Sequence, residues 1–324
     1  MTVNAVVPST RREVAKAITL LESTRTDHRA QADALLTALM PHTGGSFRLG
    51  LSGVPGVGKS TFIEALGLHL IAQGHRVAVL AIDPSSTVSG GSILGDKTRM
   101  EQLSVHPQAY IRPSPARGNL GGVAEHTREA MLVLEAAGYD VVIVETVGVG
   151  QSEVAVQGMT DLFVLMQLPN AGDDLQAIKK GVMELADMVL INKADIDPDA
   201  ATRAQAQITS AMRIFGMHGK AASAHWQPRV MPLSALQGHG VEDFWAEVRT
   251  YQIQAANNGW IAKRRQAQAV KWMHEAIAQH LRQNFEKNPR VSGEFDAVTA
   301  RVLAGELAAG SAARFLVDLA NLSQ

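Results

Sequence analysis

Seven short apolar runs alternate with helix-length segments between residue 47 and about residue 251, and this alternation constrains the fold more than any other feature. Most of the runs are bounded by turn or cap residues, as expected for strands that are covered on both faces. Adjacent parallel strands need long crossovers, and the connecting segments have the length to supply them. The pattern therefore predicts an α/β fold with a doubly wound, mostly parallel sheet. The predicted strands are FRLGLSG, RVAVLAID, AYIRP, YDVVIVET, DLFVLMQL, DMVLINKAD and RVMPLSA.

Both ends of the chain are predicted to be helical additions to this central domain. Before the first strand and after the last, apolar residues recur at helical spacing without a strand pattern. The C-terminal stripe must be covered, so we expect a dimer interface there, with packing onto the central domain as the alternative. The basic cluster Lys263-Arg264-Arg265 is interpreted as the solvated face of a helix. The predicted boundaries are 1–45, 46–255 and 256–324, and the stripe consists of Val270, Met273, Ile277 and Leu281.

Charge balance and the absence of cysteine narrow the range of function. The 324 residues include 30 basic and 31 acidic side chains, which argues against a broad nucleic-acid-binding surface. No apolar run approaches the roughly 20 residues that span a bilayer, and the first residues lack the apolar core of a secretory signal. We therefore expect a cytoplasmic protein with no membrane or nucleic-acid partner. With no cysteine in the chain, disulfides and thiolate metal sites are excluded.

The segment GVPGVGKS follows the first predicted strand and precedes a predicted helix, which is the context of a phosphate-binding P-loop. Glycines allow backbone N–H groups to turn towards phosphate oxygens, and the start of a helix adds the positive end of its dipole. Lys59 is predicted to reach the β- and γ-phosphates and to act in catalysis, while the Ser60 hydroxyl is a predicted Mg²⁺ ligand. The predicted phosphate-binding residues are Gly53, Gly56, Val57, Gly58, Lys59, Ser60 and Thr61.

A second motif, Asn192-Lys193-Ala194-Asp195, follows the sixth predicted strand and indicates which base is bound. It resembles the N-K-x-D motif of GTPases. One carboxylate can accept hydrogen bonds from the N1–H and the 2-amino group of guanine, so Asp195 is predicted to select GTP over ATP. Lys193 is expected to pack along the base and Asn192 to connect neighbouring loops. The segment Ser234-Ala235-Leu236 resembles the element whose backbone contacts guanine O6.

Carboxylates after three predicted strands are candidates for the metal and water side of the phosphates. Glu145 stands where a D-x-x-G motif has aspartate and is a predicted Mg²⁺ ligand, while Gly148 is expected to offer its N–H to the γ-phosphate. Val149 replaces the water-positioning glutamine of Ras-like enzymes, which predicts slow intrinsic hydrolysis. Asp83 is a candidate for orienting water and binding metal, with a loop or helix cap as an equal alternative. Asp96 is a candidate switch ligand to Mg²⁺.

The stretches GVPGVGKST, DPSSTVSGGSILGDKTRM, ETVGVGQSE and GDDLQAIKKGVMELAD, followed by NKAD, resemble one family in particular. These are the GTPases associated with methylmalonyl-CoA mutase and related adenosylcobalamin-dependent acyl-CoA mutases, once labelled arginine/ornithine transport kinases. The resemblance implies that residues 46–255 form a P-loop GTPase domain of a homodimeric chaperone. Such a chaperone would gate cofactor loading and protect or reactivate the mutase. Segment 172–187 would be a mobile element that responds to the mutase, although its candidate coupling residues Lys179 and Lys180 are equally compatible with a solvated helix face.

Two other functions are compatible with parts of the sequence. A metallochaperone GTPase that delivers nickel or zinc shares the fold and the glutamate variant, but such proteins usually carry cysteine and histidine ligands. A kinase of an amino-acid transport system would usually use ATP, which the guanine motif disfavours. The sequence does not distinguish among the acyl-CoA mutases that such a chaperone could serve.

Overall fold

The computed structural model describes residues 7–23, 25–82, 100–113, 120–146, 152–169, 180–218 and 226–321. The chain divides into two compact units, residues 1–268 and residues 269–324. The first unit contains all seven strands of the sheet, and the second contains only helices among its described residues. The three-domain boundaries expected from the sequence stay predictions.

A seven-stranded sheet forms the centre of the first unit, with the strand order β3-β2-β4-β1-β5-β6-β7. Every neighbouring pair is parallel. The side chains of β1, β2, β4, β5 and β6 are buried along their whole length, because helices cover both faces of the sheet. The predicted α/β fold class is confirmed. The strands are β1 Phe47–Gly53, β2 Val77–Ile82, β3 Ala109–Arg112, β4 Val141–Thr146, β5 Leu162–Gln167, β6 Met188–Ile191 and β7 Arg229–Pro232.

Helices connect the strands and extend both ends of the chain. The helix Lys59–Ala72 buries Phe62, Ile63, Leu66 and Leu70 against the sheet, and the Phe62 ring packs edge-on against Phe244 with centroids 5.2 Å apart. The described helices are Arg11–Leu21, Thr26–Leu39, Lys59–Ala72, Glu101–Val105, Leu120–Ala136, Ser152–Gln157, Lys180–Met183, Pro198–His218, Val241–Asn257, Trp260–Lys287, Pro289–Leu303 and Ala309–Asn321, with a 3-10 turn at Met40–His42.

The N-terminal helix Arg11–Leu21 packs against the rest of the first unit through the apolar side of an amphipathic helix. The helix begins with a capping box. The Thr10 side chain accepts from the backbone N–H of Glu13, and the Glu13 side chain accepts from the backbone N–H of Thr10. Beyond its end, the Glu22 carboxylate accepts two hydrogen bonds from the Arg112 guanidinium at the end of β3, with N–O distances of 3.0 and 2.5 Å. The helix is therefore held to the edge strand. Its buried residues are Val14, Ala17, Ile18 and Leu21, the apolar positions expected from the sequence.

Two aspartates at the amino ends of β5 and β6, one buried and one partly buried, correct the interpretation of the basic cluster at 263–265. Arg265 donates to both carboxylate oxygens of Asp161, at 2.7 and 2.6 Å, and Arg264 donates to Asp187 at 3.0 Å. The Arg264 and Arg265 side chains are only 9% and 19% exposed, so they do not form a solvated face. The error arose because the carboxylates are distant in sequence. We call Asp161, Asp187, Arg264 and Arg265 the amino-edge ion pairs.

Backbone contacts add to the amino-edge ion pairs. The Asp161 carboxylate also accepts from the N–H of Arg48 at 2.8 Å, and the Asp187 carboxylate accepts from the N–H of Phe163 at 2.8 Å. Arg265 further donates to the carbonyl of Ser46, directly before β1. Burial raises the pKa of the Asp187 carboxyl, while Arg264 and the Phe163 N–H act in the opposite direction. One helix start thus fixes the entry points of three strands.

The second unit contains the end of the helix Trp260–Lys287 and two further helices. The helices Pro289–Leu303 and Ala309–Asn321 pack together through Val291, Val298, Ala312 and Leu316. The predicted apolar stripe is exposed, with Val270, Met273, Ile277 and Leu281 at 55%, 53%, 48% and 65%. Within the described ranges of the whole chain, no helix is both long and apolar enough to cross a membrane.

Candidate functional site

The P-loop lies between β1 and the helix Lys59–Ala72, and its glycines adopt conformations that other residues rarely use. Gly58, directly before the helix, has φ 98° and ψ 28°. A Cβ atom there would collide with the side-chain amide of Asn192. At Gly53 a Cβ atom would lie 2.7 Å from the carbonyl oxygen of Met166 in β5. The loop therefore requires glycine both for its backbone angles and for its close approach to neighbouring strands.

Lys59 begins the helix, and its ammonium group lies over the loop. The Nζ atom donates to the carbonyl of Gly53 at 2.6 Å and to that of Val54 at 3.4 Å. Ser60 and Thr61 follow in the first turn, where helix N–H groups have no partner within the helix and the dipole is positive. A lysine and a helix start thus converge at the same loop, which is an arrangement suited to a polyphosphate.

Asn192 joins the P-loop to the loop after β7. Its side-chain N–H donates to the carbonyl of Val57 at 2.7 Å, and its side-chain oxygen accepts from the N–H of Ala235 at 2.9 Å. The residue is 2% exposed. A buried amide whose two ends are satisfied by different loops holds those loops in register. This is the connecting geometry that the sequence suggested for Asn192.

The base-binding candidates surround this amide. Lys193 has φ 62° and is the only non-glycine residue with positive φ among those described, which turns the chain sharply after β6. Asp195 is exposed, and its carboxylate accepts a hydrogen bond from the side chain of Gln237 at 3.2 Å. Ser234 and Ala235 are buried, whereas Leu236 is 84% exposed. The structure thus brings the 192–195 and 234–236 segments together beside the P-loop.

Glu145 lies on the strand next to the P-loop strand and is 2% exposed. In the β1–β4 ladder it is opposite Leu51, two residues before the loop begins. Next to it, the hydroxyl groups of Thr146 and Ser52 are hydrogen-bonded at 2.9 Å across the same two strands. Glu145, on the strand next to β1, and Ser60, in the helix that follows the phosphate loop, both carry oxygen atoms, which Mg²⁺ prefers as ligands. The chemistry of these two residues therefore fits a Mg²⁺ ion.

Several predicted site residues lie outside the described ranges. These are Asp83, Asp96, Gly148, Val149 and Lys179, and their roles stay predictions. Of the segment expected to respond to the mutase, residues 172–187, only the part from Lys180 onwards is described. Its last residue is the Asp187 of the amino-edge ion pairs. The contact of Gln237 with Asp195 has no sequence signal, because no motif marks a partner from a loop 42 residues away.

A parallel α/β sheet, a glycine-dependent loop with its lysine, and a base loop tied to it by Asn192 define a P-loop nucleotide-binding protein. Comparison with known proteins narrows this class. The chain belongs to the family of methylmalonyl-CoA mutase-associated GTPases, since the family model described as "Methylmalonyl Co-A mutase-associated GTPase MeaB" matches residues 14–290. The family resemblance expected from the sequence motifs is thus confirmed, and membership implies guanine-nucleotide binding and GTP hydrolysis in general terms.

Individual relatives agree with this assignment. The chain is 50% identical over 314 residues to "Probable GTPase Rv1496" of Mycobacterium tuberculosis, covering 97% of this chain and 92% of that protein. It is 45% identical to the mouse "Methylmalonic aciduria type A homolog, mitochondrial" over 318 residues, covering 94% and 75%. Among solved structures, "Crystal structure of LAO/AO transport system kinase" superposes with a TM-score of 0.73 at 36% identity, covering 95% and 92%.

Proposed function

We propose that this protein is a GTP-hydrolysing chaperone that gates cofactor loading and protects or reactivates an adenosylcobalamin-dependent acyl-CoA mutase. The observation that carries the proposal is the match to the mutase-associated GTPase family over residues 14–290, a range that contains the whole nucleotide site. The methylmalonyl-CoA mutase named by the family is the first candidate partner, and a close relative of that enzyme is the second.

The P-loop and Lys59 are proposed to bind and activate the phosphates of GTP. Loop N–H groups would donate to the phosphate oxygens, and the Lys59 ammonium would exchange the carbonyls of Gly53 and Val54 for β- and γ-phosphate oxygens. Hydrolysis joins a water oxygen to the γ-phosphorus and breaks the bond between the γ-phosphorus and the β–γ bridging oxygen. Lys59 would stabilise the charge that builds up there. Asp83 is proposed to orient the water, and Gly148 to donate to the γ-phosphate.

Ser60 and Glu145 would hold Mg²⁺, with Asp83 and Asp96 as further proposed ligands. When bound, the ion neutralises charge on the β- and γ-phosphates. At the other end of the nucleotide, Asp195 is proposed to accept from the guanine N1–H and 2-amino group. Ser234, Ala235 and Leu236 would contact the base edge and Lys193 its face. Since the side chain of Val149 has no polar group to position water, hydrolysis is proposed to be slow until the mutase binds.

The chaperone is proposed to be a cytoplasmic homodimer. The exposed stripe of Val270, Met273, Ile277 and Leu281 supports a subunit interface, because contiguous exposed apolar residues mark interaction surfaces. Sedimentation equilibrium of wild type and of a Met273→Glu, Ile277→Glu variant tests this. A wild-type dimer that the double variant converts to a monomer supports the interface, and an unchanged mass for the variant contradicts it.

GTP turnover measured with and without an adenosylcobalamin-dependent mutase tests the function. We expect slow turnover alone and acceleration by the partner mutase, with Lys59→Ala inactive in both conditions. Asp195→Asn should change the preferred substrate from GTP to XTP, because xanthine carries a carbonyl where guanine has its 2-amino group. The proposal fails if the protein neither binds nor responds to any such mutase and instead retains stoichiometric nickel or zinc.

The same assay distinguishes a GTPase from a kinase, which is the activity that the solved relative's title names for that relative. With GTP labelled at the γ-phosphate, a GTPase releases the label as inorganic phosphate. Labelled protein in place of free phosphate would support a kinase and contradict our proposal.

A further inference from the structure

We infer that Gln237 is a positioning residue for guanine recognition, because its side-chain amide donates to the carboxylate proposed to select the base. This inference rests on the proposed guanine site. The Nε2 atom of Gln237 lies 3.2 Å from Oδ2 of Asp195, although the two residues are on different loops. No sequence motif assigns a role to this glutamine.

The loop that carries Gln237 is tightly folded, so the amide is presented from a defined position. The backbone N–H of Gln237 donates to the Ser234 hydroxyl at 3.4 Å, and the N–H of Ser234 donates to the carbonyl of His239 at 3.0 Å. Gly238 and Gly240 have φ values of 73° and 80°, which allow the turn to close before the helix Val241–Asn257. The position of Gln237 is thus determined within a turn of a few residues.

Asp195 requires such a partner because a carboxylate must be correctly oriented to accept two hydrogen bonds from one base edge. The last side-chain torsion of aspartate has a broad, roughly two-fold distribution, and Asp195 is exposed. Each carboxylate oxygen has two acceptor positions, so Oδ2 can accept from Gln237 and from guanine together. The hydrogen bond therefore restricts the carboxylate plane without preventing contact with the base.

The two loops do not depend on Gln237 to stay together. The N–H of Ala194 donates to the carbonyl of Leu233 at 3.1 Å, and the N–H of Ala235 donates to Asn192 at 2.9 Å. Loss of the Gln237 amide should therefore leave the loops and the fold in place. That loss should weaken binding of a ligand that uses both Asp195 carboxylate oxygens more than binding of a ligand that uses only one.

The test compares GDP with IDP, whose hypoxanthine base lacks the 2-amino group and makes one hydrogen bond fewer. We expect Gln237→Ala to raise the Kd for GDP about fivefold and the Kd for IDP less than about twofold, as for loss of one exposed, charge-assisted hydrogen bond. Gln254→Ala is the matched control, since Gln254 is an exposed glutamine of the same unit on the helix Val241–Asn257. It should leave both Kd values unchanged.

A double-mutant cycle shows whether Gln237 acts through Asp195. In an Asp195→Asn background, adding Gln237→Ala should change GDP affinity by less than about twofold. Equal weakening of GDP and IDP binding, no weakening, or fully additive effects in the cycle would overturn the inference. If Asp195→Asn alone leaves GDP affinity at the wild-type value, the proposed guanine site itself is wrong. If instead Asp195→Asn weakens GDP binding while Gln237→Ala leaves it at the wild-type value, the proposed guanine site stands and only the role of Gln237 is wrong.

Discussion

The two ends of the central sheet are built from different interactions. At the carboxyl ends of the strands, the P-loop and the base loop are joined by single hydrogen bonds to backbone groups, such as Asn192 to Val57 and to Ala235. At the amino ends, Asp161 is buried and Asp187 is partly buried, and each is bound by an arginine and by a backbone N–H. The nucleotide loops at the carboxyl edge rely on glycine and on neutral hydrogen bonds, whereas the amino ends of β5 and β6 are held by charge. Away from the nucleotide-loop motifs, the end of β3 also carries a charged pair, Arg112 with Glu22.

This difference suggests a division between stability and function. Groups that bind a ligand cannot be fully satisfied within the protein, so loops that carry them contribute little to stability. Ion pairs that are largely withdrawn from solvent are costly to break from one side, because the remaining charge is left without its partner. The amino-edge ion pairs therefore hold the strands while the loops at the opposite edge exchange contacts with nucleotide.

The largest expected effect is the loss of an amino-edge ion pair. Asp161→Ala removes the buried carboxylate that binds Arg265 and the Arg48 N–H. We expect it to lower the free energy of unfolding by about 3–5 kcal/mol, as for other buried pairs broken from one side. Urea unfolding followed by circular dichroism measures this loss. Any of the variant that remains folded should bind GDP with wild-type affinity, because the nucleotide loops lie at the other edge.

Asp27→Ala is the control for this prediction. Asp27 also pairs with an arginine, Arg25, but both side chains are more than half exposed, at 55% and 67%. Exposed pairs contribute at most about 1 kcal/mol, so the unfolding curve should move little. Similar losses for the Asp161 and Asp27 variants would remove the contrast between the two edges of the sheet.

An intermediate effect is expected at the opposite edge, from Gly58→Ala. The left-handed backbone costs a non-glycine residue about 1–2 kcal/mol, and the added methyl group also collides with the Asn192 amide. The collision separates the base loop from the P-loop. We therefore expect GDP affinity to fall by about tenfold or more, which corresponds to at least about 1.4 kcal/mol. Isothermal titration calorimetry measures the affinity.

Gly74→Ala separates backbone strain from the collision. Gly74 has a similar φ of 93°, but a Cβ atom there meets nothing within 4 Å. This variant should lose about 1 kcal/mol of stability and keep wild-type GDP affinity. If Gly74→Ala weakens GDP binding as much as Gly58→Ala does, the contact with Asn192 is not the cause.

The sequence was informative where a residue's role depends on its neighbours in the chain. The strands, the P-loop with Gly58 and Lys59, and the pairing of the 192–195 and 234–236 segments could all be predicted, because local motifs encode them. The partners of Arg264 and Arg265 could not, since Asp187 and Asp161 lie 77 and 104 residues away. The same limit applies to Gln237 and Asp195. Long-range polar pairs depend on topology that a single sequence does not display.

The smallest expected effect tests whether a protonated histidine adds to the charge interaction that Arg112 and Glu22 make at the carboxyl end of the edge strand β3. His126 lines the same small cavity as Arg112 and Pro113 at the end of β3, and its Nδ1 atom lies 3.3 Å from Oε2 of Glu129. The hydrogen bond to Glu129 and the charges of Glu129, Glu125 and Glu22 raise the pKa of His126, while burial opposes them. A raised folded-state pKa gives stability that is complete below the unfolded value of 6.5 and is lost as pH rises through the folded-state pKa.

His126→Gln should therefore cost less than about 1 kcal/mol at about pH 6 and almost nothing at about pH 9. Urea unfolding of both proteins at the two pH values measures this difference, and NMR titration of the imidazole gives the pKa directly. The sign of the trend is the decisive observation. A penalty that grows with pH would mean that neutral His126 is the stabilising form, and the charge of His126 would then not add to the Arg112–Glu22 pair at this edge. A penalty that declines would add protonated His126 to the charged groups at the end of β3, and confine the neutral, glycine-dependent contacts to the nucleotide loops.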